Sequence, residues 1–331
     1  MKNILMIGTG GTIASEMSPS GLTPELNPRQ LLEFIPRIAE LCRVECIQLY
    51  NLDSTNLRPE NWLGVARCLR ENYARYDGFV ISHGTDTMAY TASAVTFMLP
   101  NIDIPVVFTG SQLPLSDMLS DGPANLRTAF AMAASGAPGV FLAFDRKVML
   151  GCRAVKIRAS GFSAFESINA RYVATVTNRG LLVDETMLRA PVGEARLEPA
   201  LCRDVFLLKL TPGLKPTIFE MLDAMGYRGI VIEAFGLGGI NVLHQGLRGI
   251  RRAVEDGISV VVTTQCLYDS ADLRVYQVGK KLLELGVIQG LDMTSEAAYT
   301  KLMWGLGQGL DQKQITALFA KDLAGEITLE Q

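Results

Sequence analysis

Short apolar runs alternate along the chain with longer stretches in which apolar residues recur at helical spacing. In the first half the runs cover residues 4–7, 44–49, 79–82, 106–109 and 140–144. They are rich in β-branched residues, so we expect strands that are buried on both faces, as in parallel sheets.

The stretches between these runs predict helices. Residues 59–76 begin with Pro59, which suits the first turn of a helix, and residues 121–123 are expected to cap a helix over 124–135. Strands and helices in alternation predict an α/β fold. We expect two Rossmann-like, three-layer α/β/α domains with largely parallel sheets, the N-terminal domain being the larger.

A polar, proline-bearing stretch interrupts this alternation at residues 183–204. It is typical of a linker, so we expect a catalytic domain over 1–182 and a smaller domain over 205–331. In the second domain strands are expected over 205–210, 229–232 and 258–263, and helices over 216–225, 246–255 and 272–285.

Charge and composition exclude several classes of partner. The 331 residues contain 31 Lys plus Arg against 34 Asp plus Glu, a net charge of −3. With no basic surplus to neutralise phosphates, we expect neither nucleic acid nor a membrane surface as partner. The uncharged stretches 87–102 and 128–144 are ended or split by Pro100 and by residues 136–139, which favours a buried core over a membrane span.

The cysteines and the N-terminus indicate a cytoplasmic protein. The six cysteines are scattered without a CxxC pair, which favours thiols in a reducing compartment. The apolar run 4–7 is too short for a signal peptide.

Hydroxyl-bearing loops follow four of the predicted strands, at residues 8–15, 51–56, 82–87 and 110–112. Ligands of open α/β sheets bind at the carboxyl ends of the strands. We therefore expect these loops to meet at one pocket.

The first loop, Gly8 to Ser15, does not fit a dinucleotide motif, because GxGxxG would need glycine where Ile13 stands, and the chain has no phosphate-binding GxxxxGK[ST] sequence. Two interpretations remain. Thr12 lies on glycine-rich backbone whose N–H groups could approach a reacting carbonyl, or the segment is a tight turn capped by threonines.

The third loop places Asp86 beside Thr85. Asp86 could cap the helix that follows, and it could equally serve as a carboxylate next to a hydroxyl group. We expect a structural role for His83, since the chain has only two histidines and no GxSxG motif. No cluster has metal-ligand spacing, so we expect no metal and no cofactor.

Basic and apolar residues alternate over 153–158. We expect Arg153 and Arg158 to point outward from a solvated edge. Lys156 could share that edge, or it could be desolvated, with a lowered pKa that suits a base for a threonine hydroxyl.

Several motifs taken together carry a family resemblance: Thr-Gly-Gly-Thr-Ile-Ala at 9–14, His-Gly-Thr-Asp-Thr-Met at 83–88, Thr-Gly-Ser-Gln at 109–112, Asp-Gly-Pro-Ala-Asn-Leu at 121–126, and Lys156 upstream of Phe-Glu-Ser-Ile-Asn at 165–169. The chain resembles the bacterial, type I (cytoplasmic) L-asparaginases of the asparaginase/glutaminase family. The resemblance extends to residues 302–304, so it covers essentially the whole chain.

The resemblance implies an enzyme that hydrolyses the side-chain amide of L-asparagine to L-aspartate and ammonia through a threonine acyl-enzyme. It implies Thr12 as nucleophile and Thr85, Asp86 and Lys156 as the second catalytic group. The substrate-binding positions that it implies are Asp53, Ser54, Thr55, Ser111 and Asn241, of which Asn241 would complete a neighbouring subunit's site in a homodimer or homotetramer. A glycine-rich turn is the other interpretation of the segment around Asn241.

Two departures from the family pattern limit what carries over. Leu22 stands where many members have a lid tyrosine, which argues against a tyrosine partner for Thr12. Some type I enzymes have a second asparagine site, and this chain resembles them at one position of that site, Cys266. At two other positions it differs: Val155 stands where they have a threonine, and Glu233 stands where they have an arginine. Because Glu233 would repel a carboxylate, we expect weak or absent activation by free asparagine.

Three alternatives stay open at this point. The enzyme could accept glutamine as well as asparagine, because one methylene changes binding by only ~1–3 kcal/mol. The chain could be the asparaginase-like subunit of a tRNA amidotransferase, which is expected to carry an extra N-terminal domain. It could also be a non-catalytic amino-acid sensor of the same fold.

Overall fold

The computed structural model describes residues 1–18, 21–240 and 246–329. It divides into two units, Met1–Pro199 and Ala200–Gln331. The division falls inside the stretch 183–204 that the sequence suggests as a linker. The first unit has a large, mostly parallel sheet and the second a smaller one, so the predicted α/β fold is confirmed.

The first unit contains a central sheet and two short hairpins. Its strands are β1 (Lys2–Gly10), β2 (Ser15–Ser18), β3 (Gly21–Pro24), β4 (Cys42–Leu52), β5 (Gly78–Ser82), β6 (Pro105–Thr109), β7 (Gly139–Phe144), β8 (Lys147–Leu150), β9 (Ala154–Lys156), β10 (Phe165–Ser167), β11 (Ala174–Thr177) and β12 (Gly180–Val183). Within the described residues the central sheet has the order β12-β11-β8-β7-β6-β5-β1-β4. The run from β7 to β4 is parallel, while β8, β11 and β12 are antiparallel. The two hairpins are β2-β3 and β9-β10.

All five strands predicted in the first half lie within β1, β4, β5, β6 and β7. The expectation of burial on both faces is correct for β5 and β6 but wrong for β4, whose residues are mostly half-buried or exposed. The reason is position: β4 is an edge strand that pairs with β1 alone. A strand's own sequence does not show how many neighbours it will have.

The helices of the first unit are α1 (Pro28–Leu32), α2 (Pro59–Asn72), α3 (Met88–Met98) and α4 (Gly122–Ala134). The helix predicted over 59–76 is observed as α2 followed by a short 3-10 turn, Tyr73–Arg75. Helix α3 follows the loop after β5 and is buried on nearly every side. Its packing therefore fixes the position of that loop.

The second unit has a parallel sheet of β13 (Val205–Lys209), β14 (Gly229–Ala234), β15 (Ser259–Thr264) and β16 (Ile288–Gln289). Its helices are α5 (Thr217–Ala224), α6 (Gly246–Glu255), α7 (Gln277–Glu284), α8 (Ser295–Gly307) and α9 (Gln312–Phe319). Apolar residues from β13, β14 and β15 pack with residues of α5, α6 and α7 in one core. In the described parts of both units, no helix is long and apolar enough to cross a membrane.

Candidate active site

Glycine backbone brings the loops after β1, β4 and β5 into contact. Gly10 and Gly11 have φ angles of 102° and 80°, which favour glycine. The Gly11 amide donates to the carbonyl of Leu52, 3.0 Å away. A Cβ built on Gly11 would lie 2.3 Å from the Cα of Gly84. Any side chain at position 11 would thus push the first loop away from the loop after β5.

Thr12 and Thr85 each follow one of these two touching glycines. Thr12 opens a short 3-10 turn, Thr12–Ala14, and is partly exposed, whereas Thr85 is 6% exposed. The parallel register of β1 and β5, with Gly8 opposite Ser82, brings both loops to the carboxyl edge of the sheet. The structure therefore places the two predicted threonine loops together.

Lys156 lies beside the loop after β5. Its Nζ donates to Thr85 Oγ1 at 2.8 Å and to Asp86 Oδ1 at 2.6 Å. The side chain of Lys156 is 17% exposed and that of Asp86 56%, so the lysine side chain is the more buried of the two. An ammonium group, a hydroxyl group and a carboxylate thus form one hydrogen-bonded group.

The same region answers two of the expectations drawn from the sequence. Asp86 directs its carboxylate to Lys156, and α3 instead begins after Thr87, with no side-chain cap. Arg153, expected on a solvated edge, is 2% exposed, so that expectation is wrong for Arg153. Arg158 is exposed as expected. The periodicity misleads because Arg153 immediately precedes β9, which pairs with β10 and is buried over Ala154 and Val155.

The loop after β4 adds Ser54. Ser54 is buried, and its carbonyl accepts from Thr87 Oγ1 at 2.8 Å. A Cβ built on Gly84 would lie 2.6 Å from Ser54 Oγ. Asp53 accepts from the backbone amide and the hydroxyl group of Thr55, both at 2.9 Å, so these two exposed residues are bonded to each other. Of the three predicted positions in this loop, Ser54 lies directly against the glycine contact.

The loop after β6 adds Ser111 and Gln112. Ser111 is buried, and its hydroxyl group donates to the carbonyl of Leu113 at 2.5 Å. Gln112 Oε1 accepts from Thr85 Oγ1 at 3.2 Å. Gln112 belongs to the motif at 109–112, yet neither its pattern nor the resemblance gave it a role. The sequence does contain a signal for Gln112, since its amide side chain lies in one of the loops expected to line the pocket.

Asp121 occupies the N-cap position of α4, as expected, but directs its side chain to this loop. Its side chain makes no capping bond to α4. Instead its carboxylate accepts from the backbone amides of Gln112, at 3.0 and 3.1 Å, and Leu113, at 3.2 Å. Asn125 donates to both Asp121 and the carbonyl of Gly110. The motif at 121–126 therefore holds the backbone that presents Gln112.

His83 is fully buried beneath the site. Its Nδ1 lies 2.7 Å from the carbonyl of Gly84, and its Nε2 lies 2.9 Å from Thr91 Oγ1. Burial lowers the pKa of His83 to about 4, so the ring is neutral near pH 7. A neutral ring that links the Gly84 loop to α3 has the structural role expected from the sequence.

Three further positions named from the sequence are Asn241, Leu22 and Glu233. Asn241 falls outside the described residues, as does the side chain of Leu22. Glu233 lies in the second unit, where it accepts from Ser295 Oγ at 2.6 Å. Across the described ranges, no group of His, Cys, Asp or Glu side chains is arranged to hold a metal ion.

Comparison with known proteins places the chain in a family. The model "Asparaginase, N-terminal" matches residues 3–189, and "Glutaminase/Asparaginase C-terminal domain" matches residues 204–319. The chain belongs to the asparaginase family.

Among its relatives is an L-asparaginase of Thermococcus kodakarensis, 43% identical over 98% of this chain and 99% of that protein. A glutamyl-tRNA(Gln) amidotransferase component of Pyrococcus furiosus is 36% identical over 99% of this chain and 77% of that protein. Two solved structures are also similar. The thermostable L-asparaginase from T. kodakarensis has a TM-score of 0.94, 42% identity and coverage of 99% of this chain and 100% of that one. L-asparaginase I from Vibrio cholerae has a TM-score of 0.89, 33% identity and 99% coverage of both chains.

These relatives come from archaea and a bacterium. They support the family but not the bacterial origin that the resemblance implied.

Proposed function

We propose that the protein hydrolyses the side-chain amide of L-asparagine to L-aspartate and ammonia. One observation carries the proposal: Lys156 Nζ hydrogen-bonds both Thr85 and Asp86 beside the glycine contact that brings in Thr12. This is a hydroxyl nucleophile next to a hydroxyl–ammonium–carboxylate group, a combination suited to acyl transfer. The 43% sequence identity with the T. kodakarensis L-asparaginase supports the same activity.

In the proposed first step, Thr12 Oγ attacks the amide carbon of the substrate. The new C–O bond gives a tetrahedral oxyanion. Thr85 takes up the Thr12 proton while passing its own hydrogen to Lys156, which reacts as the free amine and then gives a proton to the leaving nitrogen. The C–N bond breaks and ammonia departs. Backbone N–H groups of the glycine-rich loops hold the oxyanion. In the second step water attacks the β-aspartyl ester, its proton returns to Thr12, and aspartate is released.

The site also contains groups that match the two charges of an amino acid. In the proposed complex the Ser54 hydroxyl group binds the α-carboxylate, with Asp53 and Thr55 completing that loop. Asp86 binds the α-ammonium group, and the Ser111 carbonyl accepts from the amide NH₂. Holding both ends fixes the amide carbon against Thr12, which favours reaction through orientation.

We further propose that the protein is a cytoplasmic, type I enzyme that acts as a homodimer or homotetramer. The similarity to L-asparaginase I of V. cholerae supports the subtype. In such an assembly Asn241 would contribute to a neighbouring subunit's site. Glu233 in place of an arginine supports weak or absent activation by free asparagine.

The test is ammonia release from L-asparagine and L-glutamine, measured side by side on purified protein. We expect release from asparagine with a much lower kcat/KM for glutamine. Comparable values for both substrates would instead show a dual asparaginase/glutaminase. Binding of asparagine by calorimetry without ammonia release would refute hydrolysis and favour an amino-acid sensor or an amidotransferase subunit that needs its partner.

A further inference from the structure

The amide group of Gln112 is held in one orientation by two backbone carbonyls. Its Nε2 donates to the carbonyl oxygens of Ala159 and Gly161, each at 3.1 Å. An amide NH₂ has two hydrogens, and both are used here. A flipped amide would set Oε1 against two oxygens that cannot donate. Gln112 must therefore direct Oε1 toward Thr85.

This orientation determines where the Thr85 hydroxyl hydrogen points. Gln112 Oε1 has no hydrogen, so across the 3.2 Å contact Thr85 is the donor. Lys156 Nζ donates to the same Thr85 oxygen from 2.8 Å. Thr85 is 6% exposed, so little water is available to offer its hydroxyl group an alternative partner. Before any proton moves, the hydrogen faces Gln112, and the lone pairs face Lys156 and the remaining space.

The backbone of Gln112 is held as firmly as its side chain. The Asp121 carboxylate accepts from the Gln112 amide through both oxygens. The residue is therefore tied at its backbone to the start of α4 and at its side chain to the loop over 159–161. A small movement of either segment would shift Gln112 and, through its side-chain amide, the Thr85 hydroxyl group.

We propose that Gln112 is a positioning residue for Thr85. By accepting the hydroxyl hydrogen it keeps the Thr85 oxygen beside the Lys156 ammonium group, and it links that geometry to the loop over 159–161. The inference rests on the proposed function, because Thr85 needs positioning only if it takes part in the reaction. Without Gln112 the Thr85 hydroxyl hydrogen can rotate toward other acceptors.

The first test substitutes Gln112→Met, which keeps the length of the side chain and removes both kinds of hydrogen bond. We expect kcat for asparagine to fall roughly 10- to 100-fold, the scale of a misplaced catalytic group, with a smaller change in KM. The matched control is Gln312→Met in α9. Gln312 Nε2 also donates to two carbonyls, those of Val254 and Ile258, at 2.9 and 3.0 Å. That control should lower the melting temperature and leave kcat unchanged.

A second variant, Gln112→Glu, keeps an acceptor for Thr85 but loses the NH₂ group. When ionised it sets a carboxylate oxygen against the carbonyls of Ala159 and Gly161, whereas the protonated acid can donate to one of them. The ratio of its kcat to that of the wild-type protein should rise as the pH is lowered. A merely structural glutamine would give a ratio that does not change with pH.

The outcomes separate this inference from the proposed function. A wild-type protein that releases no ammonia from asparagine overturns both together. An active wild-type protein overturns the inference alone if Gln112→Met keeps the kcat of the Gln312→Met control. If Gln112→Met does not fold, a pH-independent ratio for Gln112→Glu overturns it instead.

Discussion

Replacing Lys156 with methionine should separate activity from stability. The ammonium group contacts Thr85 at 2.8 Å and Asp86 at 2.6 Å. Methionine keeps an unbranched chain of similar length but cannot donate or transfer a proton. Loss of general acid–base help is expected to lower kcat about 10²–10⁴-fold, which corresponds to ~3–5 kcal/mol of transition-state stabilisation.

The cost to folding should be far smaller. Asp86 is 56% exposed, so water solvates its carboxylate once the lysine is gone, and Thr85 keeps Gln112 as acceptor. Solvent-screened ion pairs contribute about 0–1 kcal/mol, so the free energy of unfolding should change by no more than about 1 kcal/mol. Asp86 does not become a buried, unpaired charge, which is the situation that makes such changes costly.

The assay measures ammonia release at saturating asparagine and thermal unfolding on the same preparations. The matched control is Lys2→Met at the first residue of β1, where Lys2 Nζ lies 3.2 Å from Asp77 Oδ1. It removes a lysine–aspartate pair at the amino edge of the same sheet and should leave kcat unchanged. A folded Lys156→Met protein with a kcat within a small factor of wild type would refute the reasoning.

Three further predictions concern other parts of the molecule. Gly84→Ala would set a Cβ 2.6 Å from Ser54 Oγ. We therefore expect ammonia release to be largely lost and the free energy of unfolding, measured by denaturant titration, to fall by about 1–3 kcal/mol. Normal activity of this variant would contradict the loop contact. Desolvation, with the Glu233 charge adding to it, raises the pKa of Glu296 to about 7 from 4.5. Because the pKa of this carboxyl group is raised in the folded protein, its contribution to folding stability is present below pH ~4.5 and is lost as the pH rises through ~7. Glu296→Gln should therefore raise the melting temperature at pH 8 but not at pH 4. Equal shifts of the melting temperature at both pH values would argue against this. Native alkylation followed by mass spectrometry should label the exposed Cys266 first, and Cys42 only after unfolding, because burial raises the pKa of its thiol to about 11; early labelling of Cys42 would contradict its burial.

Much of the first unit could be predicted because its local signals agree with one another. Apolar runs bounded by glycine or polar loops predict β1, β5, β6 and β7 well, and the topology of parallel sheets then requires the following loops to share one edge. The convergence of the Thr12 and Thr85 loops follows from that rule. The residues around Lys156 left a solvated edge and a catalytic base equally open, and only the family resemblance favoured the second, because its hairpin, β9-β10, lies outside the central sheet.

Other features depend on partners that are distant in the sequence. The pattern around Asp121 is typical of a helix cap, yet its carboxylate turns to the amides of Gln112 and Leu113, whose positions are set by the end of β6. The hydrogen bond that Thr85 donates to Gln112 depends on the loop at 159–161, and no regular sequence pattern predicts that loop. Burial of Arg153 is likewise set by tertiary packing and not by the alternation around it.

We propose that the reaction passes through an ester on Thr12. This step is tested by the partition of product between water and added hydroxylamine, with asparagine and its β-methyl ester as substrates. A common acyl-enzyme predicts the same ratio of aspartohydroxamate to aspartate from both substrates, and neither product with the Thr12→Ala variant. Different ratios from the two substrates, or ammonia release by Thr12→Ala at the wild-type rate, would contradict the account.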